Sequence, residues 1–195
     1  LANGTNSVSV SGIEVLYGGS GSDAVTFLNA AANALVVLRQ GNDLLTLSGA
    51  ADRIRLRGVE TLYAGGGNDT VTLLDPQNGG YLHLGAGRDQ LILADGDNTL
   101  TVVYAETILG GGGDDVITLG SAMPAGVVDL GDGNDRLVLT RGGNHIAVSG
   151  VELIQGSGGS DTIDLAGGAD GVVLRLGAGD DHLLLGPGGN RVTLA

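Results

Sequence analysis

The chain has 195 residues, 38 of them glycine, and is 42% hydrophobic but only 3% aromatic, with no cysteine, tryptophan or lysine. Any core must therefore be a thin layer of Val, Leu and Ile, and neither a disulfide framework nor a thiolate metal site is available. A formal charge of −13, from 22 acidic residues against nine arginines, excludes nucleic acid as a partner, argues against anionic membrane surfaces and favours cations.

In chain order, Asn6 is followed by apolar Val8 and Val10, and a second short strand, which includes Glu14, runs around Ile13 to Tyr17. The glycine turn Gly18-Gly19-Ser20-Gly21-Ser22-Asp23 comes next, with Val25 and Phe27 two and four places after its aspartate. A strand around Val36 to Leu38 leads to a turn ending at Asp43, followed by Leu45 and Leu47. Apolar residues at alternate positions mark a strand with one buried face. Five such strands occupy 46 residues, about nine residues each with the turn.

The pattern then repeats at a strict 46-residue step. Asp23, Asp69, Asp115 and Asp161 form one phase and Asp43, Asp89, Asp135 and Asp181 a second. Asn6, Asp52, Asn98, Asn144 and Asn190 keep the same step, as do Glu14, Glu60, Glu106 and Glu152, the only glutamates in the chain. Four copies (6–51, 52–97, 98–143 and 144–189) and a partial fifth (190–195) make one repeat solenoid, and both ends look cut from a longer array. The segments 74–80 and 120–126 are the nearest approach to irregular loops.

Strands this short, each with one apolar face, bury it only against neighbouring rungs, so an all-β parallel β-roll is expected. In a two-sided roll of about 18 residues per turn, the odd number of half-turns puts the glycine turns of successive copies on opposite edges. The alternative is a three-sided β-helix, with Asp43 stacked on Asp69 and all eight Asp turns on one edge.

The turn-and-strand unit, seen most plainly in Gly110-Gly111-Gly112-Gly113-Asp114-Asp115-Val116-Ile117-Thr118-Leu119, resembles the Gly-Gly-x-Gly-x-Asp-x-U-x nonapeptide of the RTX (repeats-in-toxin) family, a calcium-binding β-solenoid repeat. Calcium takes six to eight oxygen ligands. One turn offers too few, so two stacked turns must share an ion, the Asp bringing charge and the glycine backbone carbonyls. The expected metal residues are the eight aspartates with their turn glycines: Gly19, Gly21 and Gly41; Gly65, Gly67, Gly85 and Gly87; Gly111, Gly113, Gly131 and Gly133; Gly159, Gly177 and Gly179. Pairing Asp23 with Asp43, Asp69 with Asp89, Asp115 with Asp135 and Asp161 with Asp181 gives about four good calcium sites, and up to eight if further steps are filled. Arg39, Gln40 and Arg88 depart from the motif beside Asp43 and Asp89, which ranks the Asp115/Asp135 site first.

For the Asn column a hydrogen-bonded ladder without an ion is preferred, since Asn tolerates turn conformations and brings no charge. The Glu column is expected to face water. The threonines at 26, 46, 72 and 118 read as ordinary strand-surface residues. His83, His145 and His182 share no phase, and an enzyme is not expected. The resemblance implies a structural segment of a large secreted or cell-surface protein, exported by type I secretion and folding on calcium outside the cell. Its partners would be calcium ions and neighbouring repeats, including end-to-end self-association, with no membrane insertion. A surface-layer or filament-forming piece, or an adhesive glycan-binding module, is the alternative.

Overall fold

The computed structural model describes residues 1–165, 167–187 and 189–194. Ala166 and Gly188, within the fourth expected copy, and Ala195, at the end of the partial fifth, lie outside the described residues. Among the described residues, twenty-one strands alternate strictly between two parallel sheets. Ser7–Val10, Ala24–Phe27 and Leu44–Thr46 open the first sheet, which ends eleven strands on at Arg191–Leu194. Val15–Tyr17, Ala32–Val37 and Arg53–Arg57 open the second, of ten strands, ending at His182–Leu185. This is the two-sided roll. The three-sided alternative fails because Asp43 leads into a first-sheet strand and Asp69 into a second-sheet strand, Thr70–Leu73.

The alternation seen in the sequence becomes a ladder. Val8, Val25, Leu45, Leu62, Leu82 and Val102 stand in register across successive first-sheet strands. From Val25 onward each is at most 1% exposed. Aliphatic side chains of the two sheets meet between them in one continuous core, and Phe27 is its one aromatic among the described residues. Parallel strands suit such runs because both their edges are paired along the stack.

In three of the four copies the ladder slips by one residue, between Ala32 and Ala34, between Asn78 and Gly80 and between Asp170 and Val172. The skipped residues Asn33, Gly79 and Gly171 take φ of 62°, 88° and 85°. The expected irregular loop at 74–80 thus resolves into a bulged entry to the strand Asn78–His83.

Two residues before each glutamate the chain turns tightly. Gly12, Gly58 and Gly150 take φ of 61°, 61° and 58° there, and Tyr104 occupies the same phase at 56°. A left-handed tyrosine is strained where glycine is not.

Gly12 and Gly58 share a conformation but differ in surroundings. A Cβ at Gly12 would meet open space, whereas one at Gly58 would run into the Leu38 and Arg39 carbonyls. Gly12→Ala should therefore cost only the left-handed backbone penalty, roughly 1–2 kcal/mol, and Gly58→Ala clearly more. Urea unfolding midpoints in calcium buffer check this, and equal costs would contradict the packing at Gly58.

Candidate metal centre

Each aspartate that ends a glycine turn points inward. Asp23, Asp43, Asp69, Asp89, Asp115, Asp135 and Asp161 are at most 2% exposed, and Asp181 is half-buried. One carboxylate oxygen of each pair member is committed to the rung before it, where it accepts the backbone N–H of the residue at the same place. The N–H of Asp23 donates to Asp43 Oδ1 (2.7 Å), Asp69 to Asp89 (2.8 Å), Asp115 to Asp135 (2.7 Å) and Asp161 to Asp181 (2.9 Å). All four expected pairs are thus stacked directly.

The second oxygen has no partner. Oδ2 of Asp23, Asp43, Asp69, Asp89, Asp115, Asp135 and Asp161 is buried without a hydrogen bond. A buried, unpaired carboxylate oxygen is costly and calls for a counter-charge.

Glycine shapes the space between turns. Gly21, Gly41, Gly65, Gly67, Gly85, Gly87, Gly113, Gly131, Gly133, Gly159, Gly177 and Gly179 have φ between 91° and 155°; Gly19 and Gly111 do not. A Cβ on Gly85 or Gly87 would collide with the carbonyl oxygens of Gly65 or Gly67, and on Gly131 or Gly133 with those of Gly111 or Gly113. Carbonyls two and four residues before one aspartate therefore face the glycines of the next turn. The Gly65 carbonyl also accepts the Ala86 N–H (2.9 Å), which leaves its second lone pair.

The asparagine turns show what those carbonyls need. Asn98 Nδ2 donates to Ala94 O (3.0 Å), Gly96 O (2.7 Å) and Asp115 Oδ1 (2.9 Å). Asn144 repeats this toward Thr140, Gly142 and Asp161, and Asn6 toward Ala2, Gly4 and Asp23. A neutral amide bridges the carbonyls two and four residues back and the next carboxylate, which is the ladder expected for this column. An aspartate at the same place donates nothing, and a cation would have to do so instead. Asp52, which stands in the asparagine phase, accepts a long bond from the Ser48 hydroxyl (3.4 Å).

The glutamates depart from expectation. Glu60, Glu106 and Glu152 are half-buried rather than facing water, and their Oε2 atoms accept the N–H groups of Asp43 (2.8 Å), Asp89 (2.7 Å) and Asp135 (2.8 Å). A polar residue recurring at the repeat step was the available signal. Arg39, Gln40 and Arg88 are exposed, so neither guanidinium enters the turn interior.

Among the described residues no three His, Asp or Glu side chains converge on one point. A bound ion would thus take paired carboxylates and mostly backbone oxygens, a set that fits hard calcium. The RTX calcium-binding nonapeptide repeat (4 copies) matches residues 9–26, 56–73, 81–101, 104–121 and 146–183, more than half of the chain. The chain belongs to the RTX repeat family. It is a calcium-binding repeat module on a β-solenoid, and the family is a structural rather than a catalytic one. Comparison with curated proteins and with solved structures gave no match. No described helix is long and apolar enough to cross a membrane.

Burial pushes the Asp69 and Asp135 carboxyls up to about 6, against the hydrogen bonds they accept from Asp52 and Asp115 and with added repulsion from neighbouring carboxylates. Burial likewise raises Asp43, Asp52, Asp89 and Asp115. The unfolded value is about 3.9, so between these limits the metal-free RTX fold binds more protons than the unfolded chain. Its stability is greatest below the unfolded value and falls as pH rises through about 6. In chelator, then, circular dichroism should show more residual β-structure at about pH 5 than at about pH 7.5. In saturating calcium the order should reverse, because the ion needs the ionised carboxylate.

Proposed function

We propose that this RTX segment is a calcium-clamped structural element of a secreted or cell-surface protein, exported unfolded and folded by calcium outside the cell. The observation that carries the reading is the row of buried Asp Oδ2 atoms without partners, beside carbonyls that glycine alone leaves accessible. The stacked pairs Asp23/Asp43, Asp69/Asp89, Asp115/Asp135 and Asp161/Asp181, with their turn glycines, are the proposed ligands. Calcium supplies there the positive charge that the asparagine turns obtain from an amide. At neutral pH a chain of −13 formal charge repels itself without ions, and ion-binding free energy becomes folding free energy.

The Asp115/Asp135 pair is the strongest candidate. Asp95, Asp97, Asp114 and Asp132 surround its turns, and Asp97 and Asp114 Oδ1 accept the N–H groups of Asp114 and Asn134 (2.9 Å each). These add negative potential without filling the interior.

A glycan-binding role is the second reading, and one observation favours it. Tyr63, Tyr81, His83 and Tyr104 form an exposed aromatic row, with ring centroids 5.1 to 6.1 Å apart between neighbours. The rings are tilted by 39° to 74° rather than coplanar. Glycan-array binding lost in Tyr63→Ala and Tyr81→Ala would support it.

In chelator at about pH 7.5, far-ultraviolet circular dichroism should show a disordered chain, and calcium at roughly 0.1–1 mM should restore β-structure. Full β-structure in chelator would overturn the proposal. Asp115→Ala should lower the calorimetric count of bound calcium by at least one and raise the calcium concentration needed for folding.

A further inference from the structure

At the head of each carboxylate row stands Asn6, Asp52, Asn98 or Asn144, and behind it come two aspartates. In the first three rows the foot is Glu60, Glu106 or Glu152. The bond each glutamate makes is the one each aspartate makes: Glu106 Oε2 accepts the Asp89 N–H at 2.7 Å, and Asp89 Oδ1 accepts the Asp69 N–H at 2.8 Å. In hydrogen-bonding terms the glutamate is the next member of the column.

Accepting one N–H does not require a charge, since an amide oxygen would serve as well. Yet at all three places an ionisable carboxylate is set against an aspartate that is 1% exposed and whose Oδ2 has no partner: Asp43, Asp89 and Asp135. Two carboxylates brought together in a buried turn repel unless a cation lies between them. The contrast with the head of the row is chemical. Asn98 meets Asp115 with donor hydrogens and needs no ion, whereas Glu152 meets Asp135 with acceptors only.

We infer that Glu60, Glu106 and Glu152 are ligands of three further calcium sites, shared with Asp43, Asp89 and Asp135, that close each ion row at its foot. This rests on the reading that the stacked aspartate pairs hold calcium. Each of these three rows then carries one ion at its Asp–Asp step and one at its Asp–Glu step, and Asn6 and Asn98 end two of them at the other side with an amide. Glu14 is outside the scheme. Its side chain is exposed, unlike those of the other three.

The test counts calcium ions bound by the full chain, by equilibrium dialysis at calcium levels that saturate the parent. The triple variant Glu60→Gln, Glu106→Gln, Glu152→Gln should bind three fewer ions, and Glu106→Gln alone one fewer. Glu14→Gln should bind as many as the parent. Glutamine keeps the oxygen that accepts the aspartate N–H, so calcium-dependent β-structure should survive. If the triple variant does not fold, the count for Glu106→Gln alone decides. Unchanged counts in the glutamine variants of a parent that binds calcium would overturn this inference and leave the aspartate pairs standing. A parent that binds no calcium would remove both.

Discussion

A carboxylate with one oxygen committed and the other unpaired is the unit on which this molecule depends. Oδ1 ties each turn to the previous rung through a backbone N–H, which sets the stacking register. Oδ2 is left buried with no donor. Breaking or omitting the partner of a buried charge costs about 3–5 kcal/mol, comparable to a large part of a domain's net stability. The aliphatic ladder between the sheets is continuous but only one side chain deep on each face. The same geometry that makes the roll regular leaves those oxygens in need of a counter-charge.

Five half-turns per 46 residues give the rows their arrangement. Asp23 and Asp43 lead into first-sheet strands, Asp69 and Asp89 into second-sheet strands, and Asp115 and Asp135 into the first sheet again. Successive rows therefore fall on opposite edges of the roll. Within one edge they are interrupted: Gln77 follows Glu60 in the first-sheet column and Met123 follows Glu106 in the second. Gln77 and Met123 each donate their N–H to the asparagine that starts the next row, at 3.0 and 2.9 Å to Asn98 and Asn144. Charge is thus gathered into short segments rather than one unbroken line along an edge, which limits the repulsion each segment must overcome.

Much of this was legible in the primary structure because a solenoid turns periodicity into position. The Asp-to-Asp steps of 17 and 20 residues and the alternation at Val25/Phe27 or Ile117/Leu119 express the stacking directly. Other features depended on side-chain length or on contacts between rungs. The 17-residue step from Asp89 to Glu106 matches that from Asp52 to Asp69, but that the glutamate turns inward to its neighbour rather than to water was not read from it. That Asn98 spans two carbonyls and a carboxylate required the turn's three-dimensional path. The aromatic row joins Tyr63, Tyr81, His83 and Tyr104 across a stretch of 42 residues, and no local pattern brings them together. Tyr104 is the instructive departure: the repeat asks for glycine there, and the chain holds a strained tyrosine against His83 instead.

The central claim is that cations sit inside the turns, between stacked carboxylates, on alternating edges of the roll. Long-wavelength anomalous scattering from crystals of the calcium-loaded chain tests it most directly. The account predicts anomalous peaks between Asp23 and Asp43 on one edge, between Asp69 and Asp89 on the other, and between Asp115 and Asp135 back on the first. Peaks confined to the outer surface, or turn interiors without any peak in an ordered roll, would contradict it.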